Sequence, residues 1–169
     1  MTPALPLIPE YLLRMPSPIG RIELGSDGTS VTSLTIERDG SLPFDSQPER
    51  STDVLERASA QLAEYFSGAR RSFDVPIVLR GTPFQLAVWE HLKAIPWSGY
   101  TTYGSLGAEI GRPGSGRAIG GAVGANPVPI LVPCHRVLAS DRRITGYSGG
   151  NGIPTKVWLL SHEGIGFAA

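Results

Sequence analysis

The sequence predicts an α+β fold in which a small antiparallel sheet precedes a mainly helical half. Three observations carry this. Two early segments alternate apolar and polar residues around a turn, apolar residues from Val54 recur at helical spacing, and the second half breaks into short helical stretches separated by glycine and proline.

In order, Gly20-Arg21-Ile22-Glu23-Leu24-Gly25 alternates as a half-buried strand does, Ser26-Asp27-Gly28 is a turn, and Val31, Leu34 and Ile36 return as the second arm of a hairpin. Residues 40–52 are rich in Ser, Pro, Gly and Asp and are expected on the surface. Val54, Leu55, Ala58, Leu62 and Phe66 predict a helix that Gly68 stops. Residues 72–79 predict one more strand, which Pro76 places at an edge. Residues 80–82 are read as the boundary between two lobes, 1–80 and 81–169. Thr82-Pro83-Phe84-Gln85 is a capping box with proline at the first helical position, and Phe84, Val88 and Leu92 share one face of a helix running to about Ala94. A short helix over 102–110, the break Gly111-Arg112-Pro113-Gly114 and a second helix over 115–125 form a helix-turn-helix pattern. In that second helix Gly116, Gly120, Gly121 and Gly124 each cost about 1 kcal/mol relative to alanine. Close approach to another surface must compensate, whether the protein's own core or a nucleic-acid groove. Arg117 is its one charged side chain.

Composition narrows the classes of function. With 169 residues and 41% hydrophobic content the chain can build its own core. Zero net charge argues against a protein that grips nucleic acid over its whole surface, but residues 1–80 carry −3 and residues 81–169 carry +3. Between Arg112 and Arg143 five arginines face only Asp141, which suits a phosphate-facing surface or a merely solvated one. No apolar run has bilayer length, and the start of the chain is interrupted by Pro3, Pro6 and Pro9 without a basic stretch, so a cytoplasmic protein with no membrane partner is expected. The single cysteine, Cys134, has no internal disulfide partner. His91, His135 and His162 are dispersed and the first lobe has no cysteine, so neither metal nor cofactor is expected.

One stretch combines these features: Asn126-Pro127-Val128-Pro129-Ile130-Leu131-Val132-Pro133-Cys134-His135-Arg136-Val137. Most lone cysteines are inert small hydrophobes. Here an imidazole beside the thiol can take its proton and Arg136 favours the anion, provided the fold brings the side chains together.

Pro133-Cys134-His135-Arg136-Val137 resembles the active-site motif of the O6-alkylguanine-DNA alkyltransferases, the methylated-DNA–protein-cysteine methyltransferases. Asn126-Pro127-Val128-Pro129, Gly146-Tyr147-Ser148-Gly149-Gly150, Arg117-Ala118-Ile119-Gly120 and Trp158-Leu159-Leu160 with Glu163-Gly164 extend the resemblance over residues 81–166, and Ser17-Pro18-Ile19-Gly20 carries it into the first half. It implies a ribonuclease-H-like N-terminal lobe followed by a helix-turn-helix DNA-binding and alkyl-acceptor domain. The activity implied is stoichiometric transfer of an alkyl group from O6-alkylguanine, and from O4-alkylthymine, onto Cys134. The partner is double-stranded DNA, bound in its minor groove by a monomer, with cooperative assembly left open, and the damaged base is rotated out of the stack.

Residue by residue, the resemblance makes Cys134 the nucleophile and His135 its base, relayed through a water to Glu163. Asn126 braces the active-site turn and Tyr103 donates to the base. The main-chain carbonyls of Cys134 and Val137 accept from the guanine amine, Tyr147 walls the pocket, Ser148 meets the exocyclic oxygen, and Gly149 is placed with them at the base. Arg117 fills the vacated stack, and Ala118, Gly121, Thr102 and Arg136 face the DNA. The zinc site of some relatives needs N-terminal cysteines that this chain lacks. Three other readings stay open on the residues alone: a lesion-binding protein without transfer, which would dispense with the cysteine; a thiol hydrolase, whose histidine is usually distant in sequence; and a helix-turn-helix regulator, which reads the major groove with polar side chains.

Overall fold

The computed structural model describes residues 7–168, so half of the proline-interrupted start lies outside it. The chain runs β1 (Tyr11–Met15), β2 (Ile22–Ser26), β3 (Val31–Ile36), α1 (Asp53–Phe66), α2 (Pro83–Lys93), β4 (Thr101–Thr102), α3 (Tyr103–Glu109), α4 (Gly116–Gly124), β5 (Val137–Leu138) and α5 (Ile153–His162). This is the α+β class that the periodicities predict. The hairpin forms as β2 and β3, antiparallel with Leu24 opposite Leu34 and a bulge at Gly25/Ser26.

Two features of the sheet depart from the sequence reading. First, β1 adds to the other edge of β2, with Leu13 opposite Leu24, so β2 becomes the central strand and is buried throughout. Its alternation, read as one wet face, instead places Glu23 inside, where Arg14 Nε neutralises it at 3.1 Å. Second, residues 72–79 do not form a strand. They touch β3 at a single bridge, Val31 with Ile77, through Val31 N–H to Pro76 O (2.9 Å) and Val78 N–H to Val31 O (3.0 Å). Pro76 has no N–H with which to continue the ladder.

Helix α1 starts at the Thr52 cap, lays Val54, Leu55, Ala58, Leu62 and Tyr65 on the sheet, and is followed by Gly68 at φ 86. Helix α2 forms the full capping box, with Gln85 N–H to Thr82 Oγ1 at 3.1 Å and Thr82 N–H to Gln85 Oε1 at 3.0 Å. Trp89 on α2 donates from Nε1 to Ala122 O of α4 at 2.8 Å, which locks the second helix of the helix-turn-helix to the body. The turn between α3 and α4 uses Gly111 and Gly114 at φ 75 and 77, left-handed values that glycine adopts without strain.

The hydrophobic interior does not divide where the sequence does. The core beneath the sheet and α1 is completed by Val128, Ile130, Leu131 and Leu159 from the second half, while a second core joins α2, α3 and α4 to Val132, Cys134 and Val137. No described helix is long and apolar enough to cross a membrane.

Candidate active site

Cys134 opens a short 3-10 turn, Cys134–Arg136, that is buried throughout. Two pieces of local structure place it. Residues 126–132 form a tight turn in which Asn126 Nδ2 donates to Val132 O (2.8 Å) and Asn126 Oδ1 accepts from Val128 N–H (3.0 Å). Ile130, at the bend, takes φ 73, a strained value for a β-branched residue, and is held there by the asparagine and by burial of its side chain in the core under the sheet. Downstream, β5 pairs in parallel with β4, Thr101 with Val137 and Thr102 with Leu138, which sets the start of α3 beside the cysteine turn. Thr102 caps α3, its hydroxyl accepting from Ser105 N–H at 3.1 Å.

A cavity of about 330 Å³ lies over the thiol, within the range of small-ligand sites. Tyr103, Val123, Cys134, Tyr147, Ser148 and Lys156 line it, and Gly116, Gly120 and Gly124 of α4 form one rim. Tyr147 is part of this lining, with its hydroxyl beside the thiol. Gly149 is obligatory in that loop, because a Cβ would sit 2.7 Å from the Tyr147 ring. Ser148 Oγ donates to Gly124 O at 2.8 Å, so its hydroxyl is engaged by the end of α4.

Behind the thiol lies a charge network sealed from water. His135 Nε2 is 2.6 Å from Glu163 Oε2, and Arg136 Nε donates to Glu163 Oε1 at 2.7 Å. The histidine and the carboxylate therefore touch directly, with no water between them, which corrects the relay expected from the resemblance. An anionic acceptor on Nε2 makes that nitrogen the N–H donor. Nδ1 is left as the acceptor, and it is buried with no partner among the described residues. Burial lowers the proton affinity of His135, so the imidazole rests neutral, although Glu163 pulls the other way. Burial alone would raise Glu163, but the hydrogen bonds and charges of His135 and Arg136 outweigh it and bring the carboxyl down to about 2. Burial pushes the Cys134 thiol up, opposed by the neighbouring polar groups of Asn126 and Tyr147 and by the charge of Lys156.

Arg136 was expected at the DNA. The structure overturns that: the side chain is 5% exposed, paired to Glu163, and donates from Nη1 to Ile95 O. Val137 is buried, and its carbonyl accepts from Lys156 Nζ at 2.6 Å, which leaves the oxygen a second lone pair. Lys156 was not singled out from the sequence. It reads there as an ordinary surface lysine on α5, yet it is 1% exposed, lines the cavity, and burial lowers its pKa to about 8.

On α4 the sequence left two explanations for the glycines, and the geometry separates them. A Cβ added at Gly116, Gly121 or Gly124 meets nothing within 4 Å. These glycines are not packing against the protein's own core. Arg117, Ala118, Gly121 and Gly124 share the exposed face of α4, while Ile119, Ala122 and Val123 are buried.

Residues 83–165 match the 6-O-methylguanine DNA methyltransferase DNA-binding domain, and residues 11–79 match the ribonuclease-like domain of the same proteins. The chain belongs to the methylated-DNA–protein-cysteine methyltransferase family. The family member of Haemophilus influenzae is 38% identical over 157 residues, 92% of this chain and 87% of its own length. The constitutive methyltransferase of Bacillus subtilis is 33% identical, with 93% and 97% covered. The Mycobacterium tuberculosis O6-methylguanine methyltransferase crystal structure superposes with a TM-score of 0.81 at 38% identity over 90% of this chain and 92% of that one, and the same protein is known in complex with DNA. The activity named for these relatives is transfer of a methyl group from methylated DNA to a protein cysteine, and this chain has one cysteine.

Proposed function

We propose that the protein repairs DNA by direct, stoichiometric transfer of an alkyl group from O6-alkylguanine, and from O4-alkylthymine, to Cys134. The single observation that carries this reading is Cys134 at the floor of a base-sized cavity whose rim is the bare, exposed glycine face of α4. In this reading α4 enters the minor groove of double-stranded DNA, Arg117 fills the stack left by the extruded base, and Ala118 and Gly121 let the backbone approach. The chain acts as two lobes, 1–80 and 81–169, and as a monomer.

The chemistry follows from the network. The thiol proton passes toward the free Nδ1 of His135, and the imidazolium so formed is stabilised by Glu163. Sγ attacks the alkyl carbon, the bond from that carbon to O6 breaks, and its electron pair leaves with guanine. Tyr103, on the cavity wall, donates to the ring as charge develops there. The proton count closes with the thiol proton on the departing base. The thioether has no leaving route, so one molecule repairs one lesion.

Intact mass after mixing with methylated-guanine DNA tests this: a single added methyl group, mapped to Cys134, is expected, and Cys134→Ser should bind the DNA without gaining mass. Repair of a several-fold excess of lesions by the wild-type protein would overturn the stoichiometric mechanism.

A further inference from the structure

Glu163 has a third donor that neither the motif nor the mechanism above uses. Tyr65 lies at the C-terminal end of α1, in the ribonuclease-like half, and is fully buried. Its ring packs among Phe66, Phe73, Trp97 and His162. Its hydroxyl crosses to the other half of the molecule and donates to Glu163 Oε2 at 2.6 Å, a residue 98 positions later in the chain. Oε2 is the oxygen that His135 also contacts at 2.6 Å, while Arg136 holds Oε1.

We propose that Tyr65 is a positioning residue of the alkyl-transfer site: its hydroxyl, reaching in from the N-terminal half, holds the Glu163 carboxylate against His135 and tempers its pull on the imidazole. The physical basis is acceptor sharing. A carboxylate oxygen that accepts a second hydrogen bond has less negative charge to offer the first, so it becomes a weaker base and stabilises the imidazolium less. A buried tyrosine hydroxyl needs only one partner to satisfy it. That the partner is the oxygen facing His135 gives Tyr65 of the first half a direct grip on the proton affinity of a histidine in the second. The other ionisable groups around this network are Arg136 on the 3-10 turn and Lys156 on α5, which both disfavour a charged His135, together with Cys134, Tyr147 and His162, the last held through Nε2 to Tyr65 O at 2.7 Å.

The inference rests on the reading of His135 and Glu163 as the activators of Cys134, and the experiment separates the two. The rate of reaction of the full chain with free O6-benzylguanine is measured from pH 5 to pH 10. Tyr65→Phe deletes the competing donor, so the midpoint of the pH–rate profile should move to lower pH by roughly half a unit to one unit. Glu163→Gln should move it to higher pH. Site-specific replacement of Tyr65 by 3-fluorotyrosine keeps ring and hydroxyl but donates more strongly, so it should move the midpoint upward, and it decides the matter if the phenylalanine variant does not fold. A Tyr65→Phe profile that is lower in rate but unmoved, or moved upward, overturns the proposal and leaves Tyr65 a packing residue. If Glu163→Gln shifts the profile and neither Tyr65 replacement does, the role of Tyr65 falls alone. If Glu163→Gln leaves it unmoved, the activation reading falls and the Tyr65 role with it.

Discussion

Glu163 shows how much one residue depends on what surrounds it. At the C-terminal end of α5 the helix dipole disfavours a carboxylate, so the sequence there hints only at some compensating partner. The structure supplies three donors, His135, Arg136 and Tyr65, and buries the carboxylate away from water. Its depressed pKa has a consequence for stability. The unfolded carboxyl titrates near 4.5, the folded one near 2, so the stabilisation is fully present above pH 4.5 and is lost as pH falls toward 2. A gap of this size corresponds to roughly 3 kcal/mol. Glu163→Gln should therefore be less stable than wild type at neutral pH in urea unfolding, and the difference should shrink as the pH falls from 5 to 2. A difference that holds constant across that range would show that the carboxylate is not ionised in the folded protein. Arg136 explains the choice of partner: a short polar residue could not reach both Glu163 and the Ile95 carbonyl.

At the scale of elements, α4 combines two roles on opposite faces. Its buried face, with Ile119, Ala122 and Val123, is anchored by Trp89, and its exposed face carries no side chain larger than the Ala118 methyl except Arg117. Glycine in an exposed helical position costs stability that alanine would recover. Gly121→Ala meets open space, so it should stabilise the protein by up to about 1 kcal/mol in thermal or urea unfolding. If the bare face seats DNA, Gly121→Leu should fold as well as Gly121→Ala yet lose duplex affinity, measured by fluorescence anisotropy. Arg117→Ala, which removes the wedge, should slow transfer from duplex DNA roughly ten- to a hundredfold while leaving reaction with free O6-benzylguanine unaltered, because no stack is opened there. Equal slowing on both substrates would make Arg117 structural and move the DNA to another face.

For the molecule as a whole, the two family domains meet between residues 79 and 83, but the interior ignores that border. Val128, Ile130, Leu131 and Leu159 are buried with the sheet and α1, and the turn that presents Cys134 is held in a strained conformation partly by that burial. Residues 81–169 expressed alone would expose these four side chains, each worth about 1.5–3 kcal/mol of burial. They should give no cooperative unfolding transition in calorimetry. A sharp transition with retained transfer would show that the second half folds alone and that the first half serves another purpose.

The sequence by itself determined the helices α1 to α4, the capping box of α2, the hairpin of β2 and β3, and the whole of the cysteine motif, because each is local: a period, a cap or a contiguous run of residues. It singled out Asn126 and Tyr147, of which the first hydrogen-bonds across the turn to Val132 and the second lines the cavity. Three things were decided only by tertiary structure. Arg136 and Lys156 went inside because distant partners, Glu163 and the Val137 carbonyl, satisfy their charge, and no local pattern records a partner 19 or 27 residues away. The glycines of α4 were assigned to the surface because open space is a property of packing, which composition does not encode. Tyr65 joined the site from the other half of the chain for the same reason: a hydrogen bond spanning 98 residues leaves no periodicity, only a buried hydroxyl that the folded molecule had to satisfy.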